Sequence, residues 1–229
     1  MMMMLLQGLS NRPLFLFASL PYIRAMSSKT YTYLALGDSY TIGEGVSIYE
    51  SFPYQTVQLL RKAGYAMCAA EIVAKTGWTT DELQTGIHHM HLLPSYNFVS
   101  LLIGVNNQYR NRDQQEYAGQ FETLLQQAII FANNNPLHVF VLSIPDWGVT
   151  PFAEGRDKAA IARDIDAFNT INKSIAEKNK VNYIDITPGT RKAATDTSLL
   201  AADQLHYSGK AHAVWAEQLA EGIKKVIAK

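Results

Sequence analysis

The sequence predicts an α/β protein: a three-layer α/β/α sandwich around a five-stranded parallel sheet. Two observations predict it. From Tyr31 onward, short apolar runs of strand length alternate with longer segments of helical period. Each run is followed by such a segment, and a right-handed crossover between parallel strands needs a helix that packs back on the sheet. At 229 residues and 48% hydrophobic content the chain can bury one sizeable core, and its length requires no second domain.

In chain order, Tyr31–Leu36 is the first strand, and Ser51–Ala63 is the amphipathic helix that returns from it. The apolar-rich Met67–Val73 is the second strand, followed by a helix over Thr80–Leu92 with Thr79 as its cap. Asn97–Ile103 is the third strand. The clearest helix, Asp113–Asn133, follows it, with Tyr117, Phe121, Leu124, Leu125, Ala128 and Phe131 at helical spacing and Gln and Glu on the other face. His138–Ser143 is the fourth strand and Asp157–Lys178 its helix. Val181–Ile186 is the fifth, and the chain closes on a helix over Ser208–Ala228, capped by Ser208 and striped by Val214, Trp215, Leu219, Ile223 and Val226. Residues 29–229 are read as a single domain.

Residues 1–28 stand apart as an N-terminal extension or signal segment. The apolar run Leu14–Leu20 follows Arg12 as in a secretory signal, yet Pro13 and Pro21 bracket it, Arg24 follows closely, and no small-x-small cleavage site precedes Ser27. The expected location divides accordingly: cytoplasmic if the true start is near Met26, exported if residues 1–25 are a signal. No later apolar run approaches the roughly eighteen residues that a membrane span requires.

The chain carries 20 basic and 20 acidic side chains, so it lacks the electrostatic footprint that draws a protein to nucleic acid or anionic lipid. A small molecule is the expected partner, and a monomer is the default. The single cysteine, Cys68, lies in an apolar-rich run and reads as a buried core thiol; it offers no intrachain disulfide and no thiolate metal cluster.

In open parallel sheets, ligands bind beyond the carboxyl ends of the strands, so the loops there hold the candidate site. After the first strand comes Gly37-Asp38-Ser39-Tyr40: the glycine permits a sharp turn, Asp38 can cap local amides, and Ser39 projects from the strand end. A serine hydroxyl is inert at neutral pH unless a base takes its proton. Asp203-Gln-Leu-His206, before the last helix, supplies a base with its orienter. An Asp three residues before a His can reach imidazole Nδ1 and leave Nε2 free to accept a serine proton. After the third strand, Asn106 offers a neutral amide donor of the kind that stabilises a developing oxyanion. After the second, Gly77 offers a backbone N–H.

These four blocks, in order and at these spacings, resemble the SGNH hydrolase family, the GDSL-type esterases and lipases, from Tyr31 to the C-terminus. The resemblance implies a flavodoxin-like sheet and hydrolysis of carboxylic esters through an acyl-enzyme. It makes Ser39 the nucleophile, His206 the general base and acid, and Asp203 its orienter, with an oxyanion hole from Ser39 N–H, Gly77 N–H and the Asn106 side chain. It implies no metal and no cofactor. Acetyl or short acyl esters, thioesters and lysophospholipids all fall within its range. Two positions depart from the usual pattern: Tyr40 replaces a leucine after the nucleophile, and Asn107 replaces an aspartate after the oxyanion asparagine, which puts the anchoring of Asn106 in question.

Two alternatives remain at this stage. Ser39–Gly45 has the hydroxyls and glycines of a phosphate cradle, so the chain also reads as a flavodoxin-like FMN-binding protein. A catalytically silent, carbohydrate-binding relative is the other. His88, His89 and His91 lie close together but near no carboxylate pair in the sequence, and they read as a solvated helix face rather than a metal site. Asp146-Trp147-Gly148 and Pro151-Phe152 read equally as pocket lining or as a packed loop. Arg110 and Arg112 read as surface residues, with contact to an anionic substrate as the alternative.

Overall fold

The computed structural model describes residues 29–228, so the expectations for residues 1–28 lie outside the described residues. Five strands form one sheet: β1 (Tyr31–Gly37), β2 (Met67–Ala74), β3 (Phe98–Leu102), β4 (Val139–Leu142) and β5 (Asn182–Ile184). Every pairing is parallel and the spatial order is β2-β1-β3-β4-β5. The strands fall within about a residue or two of the expected runs. The helices are α1 (Ser39–Ile42), α2 (Phe52–Lys62), α3 (Thr80–His88), α4 (Val105–Tyr109), α5 (Gln114–Phe131), α6 (Lys158–Lys178), α7 (Thr187–Thr190) and α8 (Gly209–Ile227). The last helix, α8, packs with α2, while α5 packs with α3 and α6, giving the two outer layers.

Burial follows position in the sheet. Every residue of the inner strands β3 and β4 is buried, the condition for runs such as Phe98-Val-Ser-Leu-Leu that show no alternation. The edge strand β2 is only partly buried, at Met67, Ala70 and Val73, and this overturns the expectation for Cys68: the thiol is exposed. Strand β2 pairs with β1 along one side only, so part of its pleat faces solvent. The helix expected to reach Leu92 stops at His88, where the His89 N–H bonds back to Gly86 and Ile87 carbonyls shortly before Pro94.

His212, on α8, is buried between the rings of Phe52 and Trp215, and its Nδ1 accepts the Phe52 N–H at 3.2 Å. Burial disfavours the imidazolium, with a smaller push from His206, and lowers its pKa to about 3. The unfolded chain therefore binds a proton near pH 6.5 that the folded chain refuses, so stability falls as pH drops from about 6.5 toward 3. His212→Gln, which keeps a neutral acceptor for the Phe52 amide, should reduce the loss between pH 7 and 5 by about 2 kcal/mol. Urea titrations at both pH values check this, and an equal loss in both proteins would contradict it.

Candidate active site

The order β2-β1-β3 reverses the chain's direction of travel at β1 and β3, and ligands in such sheets bind at that switch point, beyond the carboxyl ends. Ser39 follows β1 directly and Asn106 follows β3, so the two flank it. Asp38 caps α1, accepting the Tyr40 N–H at 3.1 Å, which leaves Ser39 as the first helical residue; a first-turn N–H has no acceptor within its own helix. Gly37 serves a different purpose from the expected turn. It is the last residue of β1, and a Cβ there would collide with the Thr41 side chain and the Leu102 carbonyl. Only glycine lets α1 sit this close to β3.

Ser39 Oγ lies 3.0 Å from His206 Nε2, and His206 Nδ1 lies 2.6 Å from Asp203 Oδ2. A carboxylate only accepts, so the proton sits on Nδ1 and Nε2 is left as an acceptor facing the hydroxyl. The other Asp203 oxygen accepts the backbone N–H groups of Leu205 (3.0 Å) and His206 (2.9 Å). Between them, Gln204 adopts a left-handed φ of 57°, folding the carboxylate back onto its own loop. The His206 carbonyl closes that loop by accepting the Ala201 N–H at 2.8 Å. Burial works to raise the Asp203 pKa, but the bonds from His206 and the two amides outweigh it and hold the carboxyl below its usual range.

Asn106 lines the same cavity as Ser39 and His206. Asn106 Nδ2 donates to the Trp78 carbonyl at 3.0 Å and makes a long 3.4 Å contact with Asp38 Oδ2, the weaker of the two. Burial pushes the Asp38 carboxyl up to about 8, only partly offset by the Tyr40 amide and Asn106. That direction favours the neutral carboxyl, which leaves less negative charge beside Asn106. Gly77 has a φ of 83°, which orients its peptide as few other residues could.

The departures at Tyr40 and Asn107 acquire physical roles. Asn107 is buried; its Oδ1 accepts the Thr80 N–H at 3.1 Å and its Nδ2 donates to Thr80 Oγ1 at 2.8 Å. A neutral amide thus does from both ends what a carboxylate could do only as acceptor, and it ties α4, which carries Asn106, to the start of α3. The buried Tyr40 ring stands 5.2 Å from the His206 imidazole and backs it.

Trp147 and Phe152 line the cavity with Tyr109, Leu205 and Val105, whereas Asp146 is buried away from it and bonded to Arg191 at 2.8 Å. The cavity measures about 160 Å³. Sequence reasoning missed Gln108, whose Oε1 accepts the Trp147 Nε1–H at 2.8 Å and locks that ring in place. Arg110 donates to the Gly77 carbonyl (2.5 Å) and pairs with Glu82 (3.1 Å), while Arg112 stands 4.0 Å from Asp81, so both face α3. A larger cleft of about 510 Å³ lies between β2 and α3, behind Trp78, and Ser39, Asn106 and His206 do not line it. Among the described residues, no group of three His, Cys, Asp or Glu side chains comes together to hold a metal ion. No described helix is long and apolar enough to cross a membrane.

A serine bonded to an imidazole–carboxylate pair at the end of a parallel sheet, with an asparagine on the same cavity wall, has an arrangement suited to acyl transfer. The chain belongs to the GDSL-like lipase/acylhydrolase family, whose match spans residues 35–214. It is therefore a hydrolase of the GDSL type acting on carboxylic esters. Among solved structures it is similar to a lipase/acylhydrolase from Enterococcus faecalis (TM-score 0.67, 18% identity, covering 85% of this chain and 96% of that one). It is also similar to Axe2, an acetylxylan esterase from Geobacillus stearothermophilus (0.63, 19%, 84% and 94%). A third is the esterase EstA from Pseudoalteromonas sp. (0.63, 16%, 87% and 100%). At these identities the likeness is one of fold. A search of curated proteins found no match.

Proposed function

We propose that the chain, through a single domain over residues 29–229, hydrolyses short-chain carboxylic esters by way of an acyl-enzyme on Ser39. The observation that carries this reading is the unbroken line Asp203–His206–Ser39 at 2.6 and 3.0 Å. His206 takes the Ser39 proton as Oγ attacks the ester carbonyl and gives it to the departing alcohol. The imidazole then takes a proton from water, which attacks the acyl carbonyl and returns Ser39 to its free state. Ser39 N–H, Gly77 N–H and the Asn106 amide receive the carbonyl oxygen as it becomes negative. A fluorophosphonate probe should label Ser39, identified by peptide mass spectrometry.

The size of the cavity supports the short chain. At about 160 Å³ it is well below the roughly 300–1,000 Å³ of sites that enclose drug-sized ligands. With p-nitrophenyl esters of two to twelve carbons, kcat/KM should peak at two to four and fall by eight. A maximum at ten or twelve would reject the assignment. Asn106→Ala should cost on the order of 10²–10³ in kcat, about 3–4 kcal/mol, with little change in KM. A loss confined to KM would place Asn106 in ground-state binding instead.

A further inference from the structure

Arg156 stands where three rings of the cavity wall meet. Its guanidinium carbon is 5.2 Å from the ring centroids of Tyr109 and Trp147 and 5.6 Å from that of Phe152. Those rings lie 5.3–6.3 Å from one another, and all three line the cavity that contains Ser39 and His206. One guanidinium nitrogen donates to the Tyr109 hydroxyl at 3.2 Å. The nearby carboxylates are engaged elsewhere: Glu154 with Lys158 at 3.5 Å, and Asp157 with the Ala160 N–H at 2.9 Å as the cap of α6. No carboxylate among the described residues pairs with Arg156. The rings hold the cation through cation–π contacts, and a guanidinium has five N–H donors, of which the Tyr109 hydroxyl takes one, so donors remain for a carboxylate or phosphate.

We propose that Arg156 is a specificity residue that selects esters carrying an anionic group, a carboxylate or phosphate, beyond the scissile bond. The proposal rests on the ester-hydrolysing reading of the same cavity. Three aromatic rings would otherwise make a cage for an ammonium ligand. Here the chain's own cation, exposed and not itself lining the cavity, stands against the three rings that do, so a substrate's cationic group extending past them meets like charge and an anionic one meets a positive charge with no carboxylate partner. The prediction therefore has a sign that a purely structural wall would not produce.

The test compares mono-p-nitrophenyl glutarate with p-nitrophenyl valerate for the acyl side, and 4-acetoxybenzoate with phenyl acetate for the alcohol side. A p-nitrophenyl ester bearing a trimethylammonium group is the cationic arm. The wild type should prefer the anionic member of at least one pair. Arg156→Ala should lower that preference about 10- to 100-fold, through KM, while kcat on the neutral esters stays level and the cationic ester improves. Arg156→Lys should restore part of the preference, and 0.5 M salt should weaken it in the wild type. Equal losses on neutral and anionic esters, or no preference in the wild type, would overturn the proposal. Calorimetric titration with glutarate, binding the wild type but not Arg156→Ala, decides the anion site independently. If no ester were turned over, the hydrolase reading would fail and this titration alone would sustain or overturn the role of Arg156.

Discussion

Ser39→Ala is expected to lower kcat on p-nitrophenyl acetate by on the order of 10⁶. The hydroxyl is the atom that becomes covalently bound, and nothing adjacent can replace it: the side chain's hydrogen-bond contact is His206 Nε2 at 3.0 Å. His206→Ala should cost about as much, and the double variant no more than either, because a base without a nucleophile and a nucleophile without a base are equally idle. The alanine variant keeps the Ser39 N–H, so a residual rate on the order of 10³–10⁴ above water should survive through the amide donors and substrate binding. The Tm should barely move, since the substitution removes one hydroxyl from the cavity wall and leaves the backbone of α1 unchanged. Stopped-time assays at high enzyme concentration, with an inactivated control, measure these rates. Turnover near wild type in either single variant would remove Ser39 or His206 from the mechanism.

The strands were legible because their apolar runs are short and sharply bounded, and inner strands such as β4 are buried along their whole length. The blocks of Ser39, Gly77 and Asn106 were legible because each follows a strand, whereas Asp203–His206 lies beyond α7, just before α8. Their convergence was not written in any one of them: Ser39 and Asn106 meet only because β1 and β3, which are not consecutive, are neighbours in the sheet. The four-residue α1 and α7 and the five-residue α4 escaped detection, being too short to carry a period and shaped by tertiary contacts instead. Cys68 was misplaced because composition alone does not distinguish an edge strand from an inner one. Arg156 was invisible for a related reason: its contacts are with Tyr109, far away in the chain, and with Trp147 and Phe152, which the chain folds back beneath it.

Asp203→Asn is expected to cost on the order of 10⁴ in kcat, through the tautomer of His206 rather than its position. The geometry leaves the new amide little choice. One Asp203 oxygen accepts two backbone N–H groups, from Leu205 and His206, and only an oxygen can do so. The amide nitrogen must then take the place of the other oxygen, 2.6 Å from His206 Nδ1. There it donates, Nδ1 becomes the acceptor, and the ring proton moves to Nε2, which faces Ser39 and can no longer take its proton. The fold should survive, because the loop keeps both amide bonds and the left-handed Gln204 between them. Asp203→Ala makes the contrast: it loses the loop bonds but imposes no wrong tautomer, so it should lower Tm more than Asp203→Asn does while costing less in kcat. Measuring both variants for kcat and Tm separates the effects. If Asp203→Asn retained activity within tenfold of the wild type, the carboxylate would not be orienting this imidazole.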